Sequence, residues 1–312
     1  VPAASAAAAA AAACEGEGLR RDAEDLGWSG ACSEPSGVRY VHVMKTGGSS
    51  LAWLLRRYAL TRRIPCVEAE APGQALPDPL KHRGWLRITT VREPVSRAVS
   101  HYWQVRPWGS HRGGANDRCR WSAAQSFSKY LTGCPFAQSL QSKYFTGKGV
   151  PLRDALDRFD VVLPTPDFDV GLVVLRLRFG LRVKDLLYVG LKVRGEKPSR
   201  GQPTPKELNR ARLMNRQDEA VWQEGTRHWN ATRARVGNAS ALSRAVAVFR
   251  ELNERWNSAV LSGCLPPEHK NTWRRFFALA RQRGPQFDHL EHCREAFCRS
   301  ERACAGNRLL RL

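Results

Sequence analysis

Tyr40–Leu51 reads YVHVMKTGGSSL: a β-branched run that breaks at a glycine pair and passes into an apolar helical pattern. Val41 and Val43 suit a strand. Gly47 and Gly48 permit a tight turn and let backbone approach a ligand closely. Ser49 or Ser50 is placed to cap the following helix, whose free N–H groups and positive dipole end favour an anion. Lys45 adds a mobile cation at the same point, but it precedes the glycines. The nucleotide triphosphate loop GxxxxGK[ST] puts its lysine after them, so the order argues against an ATPase or kinase.

A second stretch repeats the arrangement. Trp85–Val91 (WLRITTV) reads as a buried strand and runs into REPVSRAVSHY, residues 92–102. Pro94 suits the first turn of a helix, on which Ser96 and Ser100 lie one turn apart on one face. Arg92 falls at the C-terminal end of the strand, where ligands bind in open α/β sheets. An arginine fork and a hydroxyl therefore converge on a second anion, which implies a ligand with two separated anionic groups.

Together these motifs resemble the 3′-phosphoadenylyl sulfate (PAPS)-dependent sulfotransferases of the Golgi, in particular the heparan sulfate 2-O- and 6-O-sulfotransferase branch. HVMKTGGSS is similar to that family's 5′-phosphosulfate loop, and REPVSRAVSHY to its 3′-phosphate motif. SLQSKYFTG, residues 139–147, resembles a family segment written around Asn-x-Gln-Thr, with Ser139 in place of the asparagine. Phe159–Gly195 resembles a family strand, helix and following strand. The likeness covers residues 38–264. It implies an α/β, P-loop-like three-layer fold with a central parallel sheet flanked by helices.

It also implies chemistry: transfer of a sulfuryl group from PAPS to a hydroxyl of a glycan acceptor, with no metal required. Lys45 would neutralise charge on the bridging oxygen. Thr46, Gly47, Gly48, Ser49 and Ser50 would hold the 5′-phosphate, and Arg92 with Ser100 the 3′-phosphate. The branch takes its general base from a histidine, often after glycine, between the two motifs, and no Gly-His occurs there. Glu70 is the preferred base, ahead of His82 and then Glu68, while His42 reads as a core histidine. A tyrosine-sulfating enzyme and an inactive polyanion-binding protein of the same fold stay open beside the glycan enzyme.

The 312 residues suffice for one large domain. A net charge of +21 favours acidic partners, and the charge by itself fits nucleic acid as well as it fits an acidic glycan. Nucleic acid is ranked last because the charge is spread along the chain and no helix or aromatic strand motif for base contact stands out. Nine cysteines and sequons at Asn230 and Asn238 favour a secretory lumen. Nine is odd, so at least one thiol is free or pairs between chains. Cys119 with Cys134, and a pair among Cys293, Cys298 and Cys304, are the expected bridges; their spacing matches no zinc pattern.

Along the chain, residues 1–37 read as a flexible low-complexity stem, 38–264 as the catalytic domain and 265–312 as a basic cysteine-bearing extension. No segment is long enough to span a membrane, and the resemblance implies an anchor preceding Val1. Leu51–Leu60 predicts a helix, and prolines between Ile64 and Gly84 predict mostly loop. Pro107–Arg120 is a Gly- and Arg-rich loop and a candidate acceptor-binding element. Ser122–Phe145 predicts helix in two pieces around Cys134-Pro135. Val161–Leu163 and Leu186–Val189 predict strands, joined by a crossover helix over Phe168–Phe179. Glu207–Trp229 and Ala241–Leu261 read as amphipathic helices.

Overall fold

The computed structural model describes residues 17–30, 32–69, 76–105, 126–146, 149–188, 202–260, 294–295 and 297–298. Its centre is an all-parallel sheet of β1 (Gly37–Val41), β2 (Cys66–Ala69), β3 (Trp85–Val91) and β4 (Val161–Pro164), in the order β2-β1-β3-β4. Parallel strands need crossovers, and helices supply them. In chain order these are α1 (Glu17–Asp25), α2 (Gly48–Arg62), α3 (Pro94–Val105), α4 (Phe127–Gly133), α5 (Ser142–Phe145), α6 (Leu152–Asp157) and α7 (Phe168–Phe179). They continue as α8 (Val183–Leu186), α9 (Pro205–Met214), α10 (Arg216–Arg233) and α11 (Ala239–Ala259).

Strand alternation sorts the core into two layers. Val38, Tyr40, Leu86, Ile88, Val161 and Leu163 face a cluster built with α2, α7 and α11. Val41, Val91 and Val162 face the other side, against residues of α5, α6 and α10. The chain is thus an α/β fold with helices on both faces of a parallel sheet, as the sequence predicts. Among the described residues no helix is long and apolar enough to cross a membrane.

Four expectations are corrected. Cys66–Ala69 is not loop but edge strand β2, short enough that its alternation is hidden among prolines. Leu186–Val189 is not a strand where it is described, because Leu186 ends helix α8. There the carbonyls of Lys184, Asp185 and Leu187 accept from the buried Arg57 guanidinium rather than from a neighbouring strand. The helix expected over Glu207–Trp229 divides at Asn215, whose buried amide accepts from Ser139 N at 2.9 Å and donates to Ala211 O at 2.8 Å. Residues 17–36, read as stem, pack on the body: Leu19, Leu26 and Trp28 are buried, and Asp22 pairs with buried Arg176 at 2.8 Å.

The two helical pieces around Cys134-Pro135 are present as α4 and α5, and α11 is capped by Asn238, whose Oδ1 accepts from Ala241 N. Cys32, Cys134 and Cys298 are disulfide-bonded, while Cys119, Cys293 and Cys304 lie outside the described residues. Cys66 is a free thiol, its pKa pushed up to about 11 by burial, with Arg56 opposing.

Candidate anion-binding site

Beyond Val41 the chain turns through residues 44–47 with two left-handed backbones, Lys45 at φ 69° and Gly47 at φ 82°. Only Gly47 takes that conformation without strain. Gly47 is the N-cap of α2 and makes no side-chain cap hydrogen bond, so neither Ser49 nor Ser50 caps the helix as expected. The helix begins earlier because Gly48 sits directly on the His42 ring and the Tyr40 hydroxyl; a Cβ there would collide with both. Its first-turn N–H groups and dipole end consequently face the C-terminal edge of the sheet, the favoured position for an anion.

Thr46 has a different part from the one assigned to its hydroxyl. It is buried, donates to Val43 O at 2.7 Å, and lies 2.6 Å from Thr90 Oγ1 on the neighbouring strand. The side chain thus ties the loop to the sheet. Thr165, just beyond β4, lies within hydrogen-bond distance of Thr46 O (2.8 Å) and Val91 O (3.0 Å), joining three strand ends.

The second loop leaves β3 beside the first. Arg92 Nη1 donates to Lys45 O at 3.2 Å, so the arginine braces the left-handed turn. Its own backbone is clamped by Gln141, which accepts from Arg92 N at 2.9 Å and donates to Arg92 O at 2.8 Å. Asp218 holds Gln141 in turn, accepting from Gln141 N and Ser142 N, with the buried Arg97 guanidinium 3.6 Å away. Glu93 receives Val95 N and Ser96 N at the start of α3. Half-buried Ser100 stands one turn beyond exposed Ser96.

The electrostatics are one-sided. Burial lowers the Arg92 pKa, Glu93 opposes and Arg97 adds to the lowering. An arginine so far from neutral pH keeps its charge. His101, with its Nδ1 2.7 Å from the Tyr130 hydroxyl, is driven to about 3 by burial, then by Arg97 and Lys45. It is therefore neutral at pH 7. Lys45, Arg92 and a helix N-terminus thus share one corner of the sheet, with the carboxylate of Glu93 beside them.

Of the predicted site residues, Lys45 to Ser50 and Arg92 come together at the C-terminal ends of β1 and β3, and Ser100 lies two turns along α3, the helix that leaves the same end of β3. His82 does not. It precedes β3, whose seven residues span about 20 Å, and so lies at the opposite end of the sheet. There its Nδ1 meets Asp78 O at 2.9 Å and its ring packs edge-on against Trp85. Glu70 lies outside the described residues. Glu68 is engaged, with His42 Nδ1 at 2.7 Å and Arg56 at 2.5 Å, so the expected core histidine is satisfied by a hydrogen bond to a carboxylate. Sequence reading missed Thr165, Asp218 and the clamping part of Gln141. The rule that strand C-termini carry sites pointed to Thr165, which follows β4 directly.

Comparisons with protein-family models, with curated proteins and with solved structures return no match to this chain.

Proposed function

We propose that the chain is a PAPS-dependent sulfotransferase acting on a hydroxyl of an acidic glycan. The observation that carries the reading is the Arg92–Lys45 contact, which joins two anion-holding loops at adjacent strand ends into a single site. A ligand with two anionic groups a nucleoside apart fits such a pair of loops, and a single phosphate would leave one loop without a counterpart. The donor set suits it: the cations Lys45 and Arg92, backbone N–H groups at the start of α2, and the Ser100 hydroxyl on α3.

In this reading PAPS supplies the sulfuryl group and leaves as 3′,5′-diphosphoadenosine (PAP). The α2 N-terminus and Ser49–Ser50 hold the 5′-phosphate, and Arg92 with Ser100 holds the 3′-phosphate. Lys45 neutralises the oxygen from which the sulfuryl group departs. Glu70 takes the acceptor proton; the residue before it, Ala69, ends β2 with its carbonyl bonded to His42 N, at the same sheet edge as the loops. Disulfides at Cys32, Cys134 and Cys298 support an oxidising compartment, in this reading the Golgi lumen, reached with an N-terminal membrane anchor.

Calorimetry with PAP and with adenosine 5′-phosphate tests the proposal. A phosphate held by a charged donor contributes roughly 1.5–3 kcal/mol, about ten- to a hundredfold in affinity. PAP should bind tighter than the monophosphate by that factor, and Ser100→Ala or Arg92→Ala should shrink the ratio. A folded protein that binds neither nucleotide removes the reading.

A further inference from the structure

The positive charge is not spread evenly over the described surface. Residues 126–146 and 202–217, which include α4, α5 and α9, contain six cationic side chains and one acid, Glu207. That acid is consumed internally: it closes a capping box with Thr204 and accepts from Ser128 N at 2.9 Å. Leu208, Ala211 and Met214 seat α9 against the cluster formed with α3 and α4. The opposite side of α9 is left to solvent, with Lys206, Arg210 and Leu213 at helical spacing and Arg212 beside them. Arg216 extends the line past the Asn215 break, and Lys129 stands on neighbouring α4. None of these five cations has an ion pair with a described residue.

We infer that this face of α9 is a docking track for an extended acidic glycan, outside the nucleotide corner. From Lys206 to Arg216 the track runs on the order of 15 Å along the helix axis, longer than one sugar. It packs on α3, the helix that opens at Arg92 and carries Ser100, so a chain engaged at that corner has a basic path leading away from it. Charge complementarity names the occupant, since carboxylates and sulfates match arginine forks. Single-stranded nucleic acid carries the same charge but is held through bases stacked on exposed aromatics. Among the described residues the aromatic rings of this face, Phe127, Tyr130, Tyr102 and Trp103, are buried, and Phe136 is half-buried against them. The inference deepens the proposed function by giving the acceptor polymer a surface, and its test does not depend on the nucleotide.

The probe is a heparin-derived octasaccharide, titrated without nucleotide over a range of salt against the wild type and the K206A/R210A/R216A variant. Each lost contact to a polyanion lowers the salt slope by about one, so the triple variant should lose about three and bind at least roughly tenfold more weakly. PAP affinity should stay at the wild-type value. Equal octasaccharide affinity and slope in the two proteins would overturn the inference. So would an oligonucleotide of equal charge that binds tighter than the octasaccharide through the same three residues. If the octasaccharide binds by this track while PAP does not bind, the track stands and the sulfotransferase reading falls.

Discussion

Lys45 holds its backbone at φ 69°, where a non-glycine residue is strained by roughly 1–2 kcal/mol. Such strain persists only where neighbours over-determine it, and Arg92 does so by gripping the Lys45 carbonyl. Lys45→Gly should therefore leave the melting temperature unchanged or slightly higher, while the sulfuryl transfer of the proposed function is lost. A fall of several degrees would show that the lysine is there for stability. His101 gives a second prediction. Its folded pKa of about 3 lies below the ordinary 6.5, so the unfolded chain binds the extra proton between those values. Stability is then fully present above 6.5 and declines as pH falls, by up to about 1.4 kcal/mol per unit from this group alone. His101→Asn should flatten the acid limb of the stability profile by that slope, and parallel limbs would refute it. The lysine, the glycines and Arg92 were legible in the sequence because turn chemistry and strand ends are local. The clamp from Gln141 was not, since it joins residues 49 positions apart.

At the scale of elements, α2 begins where Gly48 lets it. Adding a methyl group at Gly48 drives the helix N-terminus off His42 and Tyr40, because those rings are themselves fixed by Glu68 and by the sheet. Gly48→Ala should cost about 1–3 kcal/mol and abolish PAP binding, measured by denaturant midpoint and calorimetry; tight binding in the variant would mean the loop is free to move. The strands of the sheet centre were readable from their β-branched runs. Two of the misread segments share a cause: side chains took over the backbone's hydrogen bonds. Arg57 captures the carbonyls around α8, and the Asn215 amide breaks one expected helix into α9 and α10. No periodicity announces a guanidinium arriving from another helix. Edge strand β2 was lost instead to its length of four residues.

On the scale of the whole molecule, the fold is closed by a segment that composition marked as stem. α1 lays Leu19 and Ala23 on the main core, and Leu26 and Trp28 follow, both fully buried. Its Asp22 supplies the carboxylate for Arg176, whose Nε and Nη2 lie 3.1 and 2.8 Å from Oδ2 in the last turn of α7. Burial pulls the Arg176 pKa down and Asp22 is the largest influence opposing it. Removing one member of a buried pair strands the other, at a cost on the order of 3–5 kcal/mol before the lost apolar contacts are counted. That is a large fraction of a typical domain stability of about 5–15 kcal/mol. A fragment beginning at Gly27, which lacks α1 but keeps the disulfide-bonded Cys32, should therefore melt far lower than one beginning at Glu17, or fail to fold. Arg176→Met in the shorter fragment should recover part of the loss, because it removes the stranded charge without restoring α1. Equal melting of the two fragments would show that α1 is an ornament on a self-sufficient core; partial rescue by Arg176→Met would assign the deficit to the orphaned guanidinium rather than to missing apolar area.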